Sequence, residues 1–149
     1  MDLLLVPHDD PRLVALVRAQ ELDVMARYGV DDAGPGLGPG SICLLARDGD
    51  DDAGCAGVAP LAPGVGEVKR MYVAPHHRGR RLAARLLTAV EQEAQQRGLH
   101  TLRLEAGTEQ PEALAVYQRA GYHRIPCYGH FADDPSTICF EKQLTEPEG

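Results

Sequence analysis

The feature that most restricts what this chain can fold into is the long helix that follows a strand candidate between residues 65 and 97. Residues 65–73 are the strand candidate, and from residue 80 to 97 the apolar positions Leu82, Ala83, Leu86, Leu87, Val90 and Ala94 recur at helical spacing and Gly98 supplies the stop. A strand that passes through a short turn into a long amphipathic helix belongs to a mixed α/β domain. The rest of the chain agrees with that class. Residues 3–6 read as a first strand, and Pro11 opens a stretch in which Leu13, Leu16, Val17 and Val24 predict one or two helices. Residues 33–40, rich in glycine and proline, make a loop. Residues 42–46 and 55–59 form a hairpin across the acidic turn 48–52, and 65–73 is a third strand in the same run. After the long helix come a strand at 101–105, a helix from Pro111 to Ala120 closed by Gly121, and strands at 122–125 and 137–140.

With 149 residues, 44% of them hydrophobic, the chain can bury about two thirds of its unfolded surface, so one domain over residues 1–149 is expected. No stretch approaches the roughly 18 apolar residues of a membrane helix, and the apolar start, broken by Pro7, is too short for a signal peptide. A cytoplasmic protein with no membrane partner follows. Cys43, Cys55, Cys127 and Cys139 are scattered without a C-x-x-C pair, and are read as buried free thiols. His76 and His77 are adjacent and point apart on an extended segment, so no metal is implied.

A net charge of −7 argues against non-specific nucleic-acid binding, but the charge is unevenly placed. Residues 1–67 hold twelve acidic residues against four arginines, while 68–90 hold Lys69, Arg70, Arg78, Arg80, Arg81 and Arg85 and no acidic residue. Several of these arginines crowd the start of the long helix, where the helix dipole disfavours cations. A multiply charged anion such as a pyrophosphate, seated on the free amides with arginines around it, makes sense of the arrangement. The bland alternative is a solvated basic surface.

Spacing separates these readings. Arg78-Gly79-Arg80-Arg81-Leu82-Ala83, directly after a strand and leading into a leucine-rich helix, resembles the coenzyme A pyrophosphate loop of the GNAT superfamily of N-acetyltransferases. That pattern is Arg or Gln, two residues, Gly, one residue, then Gly or Ala; Arg78 and Ala83 fill its ends, and Arg81 stands where glycine is usual. Residues 110–122 resemble the family's other recurrent motif, a helix ending in Tyr117, three residues, Gly121 and the aromatic Tyr122. Gln110 takes the place of a frequent pantetheine-binding Asn. The likeness covers residues 42–142.

The resemblance implies a mostly antiparallel, twisted central sheet flanked by helices, and an enzyme that moves acetyl from acetyl-CoA to a primary amine. It implies that Met71, Tyr72 and Val73 hold the pantetheine arm along their strand, with the N–H groups of Met71 and Val73 available, and that Arg78, Gly79, Arg80, Arg81, Leu82 and Ala83 hold the pyrophosphate. Tyr117 would then give a proton to the departing thiolate; a phenol with a pKa near 10 is protonated at neutral pH. Glu67, on the same strand six residues before Val73, is the first choice of base, against the alternative of an ion pair with Lys69. Glu105 is the second choice, or a ligand for a cationic substrate. Segment 123–135, with Pro126, Tyr128, His130 and Phe131, would form one wall of the acceptor pocket. A small-molecule amine is the expected acceptor, ahead of a protein lysine or N-terminus. A coenzyme A-binding module without transfer activity, or a pure interaction domain, are the readings of other classes. Dimers are common in the family, and no residue here fixes that state.

Overall fold

The computed structural model describes residues 1–129 and 132–144. Seven strands, β1 (Asp2–Leu5), β2 (Ile42–Asp48), β3 (Asp51–Ala62), β4 (Val65–Val73), β5 (Thr101–Gly107), β6 (His123–Ile125) and β7 (Thr137–Gln143), form one sheet in the order β1-β2-β3-β4-β5-β7-β6. Among the described residues three α-helices, α1 (Pro11–Tyr28), α2 (Leu82–Gln96) and α3 (Pro111–Arg119), join them. The mixed α/β class and the mostly antiparallel sheet are as expected: of the described pairings only β4 with β5 is parallel. That pair is bridged by α2, as a parallel neighbour requires.

The two faces of the sheet are covered differently. On one face Leu82, Leu86, Leu87, Val90 and Ala94 of α2 pack with Ile42, Leu44, Val58, Val68, Leu102, Leu104 and Phe140, and α3 adds Tyr117. On the other, Leu13 and Leu16 of α1 cover Cys43, Leu45 and Cys55. Because β2 is buried on both sides, five successive residues, Ile42 to Ala46, are all buried, which makes it an unbroken apolar run and not an alternating one. Each fully buried leucine here contributes about 2 kcal/mol of transfer free energy.

The stretch after Pro11 is a single helix. Asp10 caps it by accepting from Arg12 N–H at 2.9 Å, Pro11 sits in its first turn, and Gly29, at φ 64°, closes it in the left-handed conformation glycine tolerates. The cysteine reading needs correction. Cys43 and Cys55 are buried free thiols, burial pushing Cys55 up to about 12, but Cys127 and Cys139 form a disulfide. The two are 12 positions apart in sequence, and the antiparallel pairing of β6 with β7 sets Ile125 opposite Cys139, which brings the Cα of Cys127 within 5.0 Å of that of Cys139. No helix among the described residues is long and apolar enough to cross a membrane.

Candidate active site

The site is organised by a break in β4. Between β3 and β4 the register runs Cys55↔Tyr72 and then Gly57↔Lys69, so Arg70 and Met71 together oppose Ala56. This is a β-bulge, and Arg70 adopts φ 57° to make it. The bulge bends β4 away from β5. Their parallel pairing ends at Val68↔Leu104, although β4 continues to Val73 and β5 stays paired with β7 as far as Gly107↔Thr137. Residues 69–73 therefore present an edge unpaired with β5 at the centre of the sheet. Ala74 N–H donates to Ala53 O at 2.9 Å, so alternation along the strand turns the Val73 N–H towards the open edge; Met71 directly follows the bulge.

The bulge is held from outside the sheet. The Arg70 side chain, 8% exposed, donates to Gly34 O at 2.7 Å and lies 3.3 Å from a Glu21 carboxylate oxygen. Lys69 Nζ donates to Pro35 O at 3.0 Å. Two consecutive cations thus fasten the 33–40 loop and α1 onto the bent strand.

Beyond Val73 a short 3-10 turn (Pro75–His77) leads to α2. Arg81, the N-cap, has φ 57° and ψ 24°, and no side chain caps this end, so the first-turn amides, those of Leu82 and Ala83 among them, are left for another acceptor. The left-handed conformation accounts for the glycine usual at position 81. Gly79 is likewise at φ 81°. The arginines divide. Arg78 donates through Nε to Val73 O at 3.0 Å and stacks over the Tyr72 ring at 5.7 Å, bracing the strand end. Arg80 points to Asp48 Oδ2 at 2.9 Å and to His77 Nδ1 at 3.1 Å, so its guanidinium is taken by the β2–β3 turn. Arg81 is exposed at the helix start. Leu82 points into the core at 2% exposure, leaving its backbone to face the helix end.

On the α1 face of the sheet the predicted carboxylates come together. Glu67 and Lys69 on β4 and Glu105 on β5 line a cavity of about 180 Å³ closed by Pro35, Leu61, Tyr128 and Gly129. Glu67 is 5% exposed and fully occupied: Lys69 Nζ lies 2.9 Å from Oε1, and the Tyr128 hydroxyl donates to Oε2 at 2.6 Å. The ion pair weighed as the alternative role for Glu67 is therefore formed, and it is buried. Glu105 differs. Its Oε2 is buried without a hydrogen-bond partner among the described residues, and burial, with the Glu67 charge next, pushes its carboxyl up to about 7. Burial raises the Tyr128 phenol, and its bond to Glu67 raises it further.

Tyr117 lies on the other face of the sheet, 8% exposed, edge-on to Tyr122 at 6.1 Å and beside Phe140 at 6.3 Å. Burial raises its phenol to about 12. Gln110 is the N-cap residue of α3, but its side chain makes no capping bond. Of the proposed pocket wall, Tyr128 lines the carboxylate cavity, Pro126 lines a larger open concavity beside the disulfide, and His130 and Phe131 lie outside the described residues. That larger concavity, about 500 Å³, holds none of the predicted catalytic or cofactor-binding residues. No group of three metal-ligating side chains lies together among the described residues. The Arg70 bulge and the Tyr128 bond to Glu67 have no signal in the sequence.

A bent central strand feeding an uncapped helix is a recognisable arrangement, and the profile of the acetyltransferase (GNAT) family matches residues 9–122. The chain belongs to the GNAT family of acetyltransferases. A relative from Azospirillum brasilense named "IAA acetyltransferase" is 38% identical over 102 residues, covering 68% of this chain and 67% of the relative. An N-acetyltransferase of Escherichia coli called YjgM, itself uncharacterised, is 27% identical over 82% of this chain and 83% of its own length. A candidate acyl-CoA N-acyltransferase of Klebsiella pneumoniae superposes with a TM-score of 0.83 at 35% identity, over 97% of both chains. A Bacillus subtilis acetyltransferase solved with CoA shares the fold at a TM-score of 0.71 and 15% identity, over 96% of this chain and 98% of that one. As a GNAT protein, the chain has an acetyltransferase fold from β1 through β7.

Proposed function

We propose that residues 1–149 act as one acetyl-CoA-dependent N-acetyltransferase domain whose acceptor is the primary amine of a small molecule. The observation that carries this is the unpaired edge of β4 leading, through the turn at 75–77, to the uncapped start of α2. An open strand edge offers backbone groups to the amides of a pantetheine arm, and free helix N-terminal amides suit a pyrophosphate. In this reading Val73 N–H and the strand around Met71 and Tyr72 hold the arm. The amides of Leu82 and Ala83, with Gly79 giving close backbone approach and Arg81 adding charge, hold the pyrophosphate. Arg78 and Arg80 act by bracing the strand and the turn, and Gln110 lies at the start of α3 where it can bond the arm.

Acetyl-CoA supplies the activated acyl group as a thioester. The chain must hold the amine unprotonated, stabilise the carbonyl oxygen as charge develops and protonate the sulfur. Glu105, with a free oxygen and a pKa of about 7, accepts the proton of the incoming ammonium. Glu67 is a positioning residue, since both its oxygens are occupied and its charge helps raise Glu105. The nitrogen–carbon bond forms, the carbon–sulfur bond breaks, and Tyr117 gives its phenol proton to the thiolate. The new amide's second proton then restores the phenol, so the ammonium releases two protons in all, one to Glu105 and one in exchange for that given to sulfur.

Calorimetric titration of acetyl-CoA, paired with a thiol-release assay on small primary amines, tests this. Micromolar binding with amine-dependent thiol release is expected. Binding with no release on any amine would reduce the chain to a coenzyme A-binding module, and absence of binding would remove the site altogether.

A further inference from the structure

The cavity beside Glu105 is small, and its charges can be accounted for group by group. About 180 Å³ is the room of about six liquid water molecules, enough for a chain of about six non-hydrogen atoms. Four ionisable side chains among the described residues line it. Lys69 is committed to Glu67 at 2.9 Å and to Pro35 O at 3.0 Å, and the second oxygen of Glu67 is committed to the Tyr128 hydroxyl. These three groups satisfy one another. Glu105 remains, with one oxygen buried and no partner among the described residues. The lining therefore carries one negative charge in excess and lacks one hydrogen-bond donor. Asp134 also bears on Glu105 and adds to the negative potential.

No nearby arginine or lysine among the described residues is free to receive an anion. Arg103 bonds Glu141 at 2.8 Å and stacks over the Tyr128 ring at 5.5 Å, while Arg70 is taken by Gly34 O and Glu21. Pro35 and Leu61 make the rim apolar, Leu61 being 39% exposed. A ligand that completes the site brings one ammonium to Glu105 and an uncharged tail to Leu61 and Pro35. Among the described residues of the lining, a second ammonium would find no uncommitted carboxylate and a carboxylate no uncommitted cation.

We propose that the acceptor is a compact primary monoamine, with one positive charge and no carboxylate, selected by Glu105 in the cavity between β4, β5 and Tyr128. This rests on the N-acetyltransferase reading above.

The test is thiol release by the full chain at saturating acetyl-CoA with three acceptors of matched length: butylamine, putrescine and γ-aminobutyrate. The expected result is a kcat/KM for butylamine about tenfold or more above each of the others. In Glu105→Gln the preference of butylamine over γ-aminobutyrate shrinks along with the rate, since the selecting charge is gone. Leu61→Ala, at the exposed rim, shifts preference towards hexylamine. Equal or faster turnover of putrescine or γ-aminobutyrate would overturn the proposal while leaving an N-acetyltransferase in place. Failure of all three, with acetyl-CoA bound, would instead overturn the reading beneath it.

Discussion

Replacing Arg81 with glycine should make this protein more stable and its grip on acetyl-CoA weaker. Arg81 is the N-cap of α2 at φ 57°, one of two non-glycine residues with positive φ among those described. A side chain in that conformation costs about 1–2 kcal/mol. Glycine relieves this strain, and its extra freedom in the unfolded chain takes back about 0.4–1 kcal/mol. The arginine charge also opposes the helix dipole, which at an exposed site is worth roughly 0.3 kcal/mol. The sum favours Arg81→Gly by about 1 kcal/mol, or about 2–4 °C in melting temperature for a chain of this size. Arg81→Ala is the control: it removes the charge but keeps a Cβ at positive φ, so it should raise the midpoint by less than about 1 °C. Both substitutions remove a cation from the proposed pyrophosphate site, and acetyl-CoA affinity should fall about three- to tenfold in each. Thermal denaturation of the free protein and calorimetry with acetyl-CoA read the two effects separately. A lowered melting point for Arg81→Gly, or an alanine variant as stable as the glycine one, would refute the assignment of strain to this residue.

Four further outcomes are expected. Tyr117→Phe keeps the contacts with Tyr122 and Phe140, so its melting point should stay within about 2 °C while kcat falls by about a hundredfold; an unchanged kcat would remove the phenol from the mechanism. Glu105 titrates near 7, so kcat/KM should rise through that pH as the base ionises, and Glu67→Gln should shift the rise to lower pH. For stability the sign is opposite: a carboxyl raised from 4.5 favours the folded state when protonated, so that contribution is complete below pH 4.5 and lost as pH rises through about 7. Glu105→Gln should therefore raise the melting point more at pH 8 than at pH 5. Reduction of the Cys127–Cys139 disulfide, whose cysteines are 12 residues apart, should cost about 3 kcal/mol, or about 6–12 °C, and Cys127→Ser should melt at the same point with and without reductant.

The elements themselves were legible because each carries local chemistry. Pro11 and Pro111 open helices, Gly98 and Gly121 follow helix ends, and the leucine spacing of α2 can only face a sheet. The Cys127–Cys139 pair was not legible, since it depends on β6 pairing with β7 in the register that sets Ile125 opposite Cys139, and spacing in sequence says nothing of that register. The arginines show both sides of the problem. Their density marks the segment, but their individual partners are set by what folds beside them: Asp48 captures Arg80, Val73 O captures Arg78, and only the backbone conformation at Arg81 fits the motif's glycine.

The same distinction applies to the two candidate carboxylates. Glu67 and Lys69, two apart on a strand, share a face whatever the fold, so their pairing could be foreseen as an alternative to catalysis. What could not be foreseen is that the bulge at Arg70 ends the β4–β5 pairing at Val68, leaving Lys69 and Glu105 as the first residues of a widening gap. Nor does the sequence indicate that Tyr128, beside the disulfide, swings over that gap and occupies the last oxygen of Glu67. These long-range contacts are what favour Glu105 over Glu67 in the proposed mechanism. The residue on the strand that matched the family expectation is held by Lys69 and Tyr128, and the one on the next strand keeps a buried oxygen with no hydrogen-bond partner among the described residues and a carboxyl raised to about 7. Strand position nominates a catalytic carboxylate, and the partners that tertiary structure supplies determine which nominee has a lone pair to use.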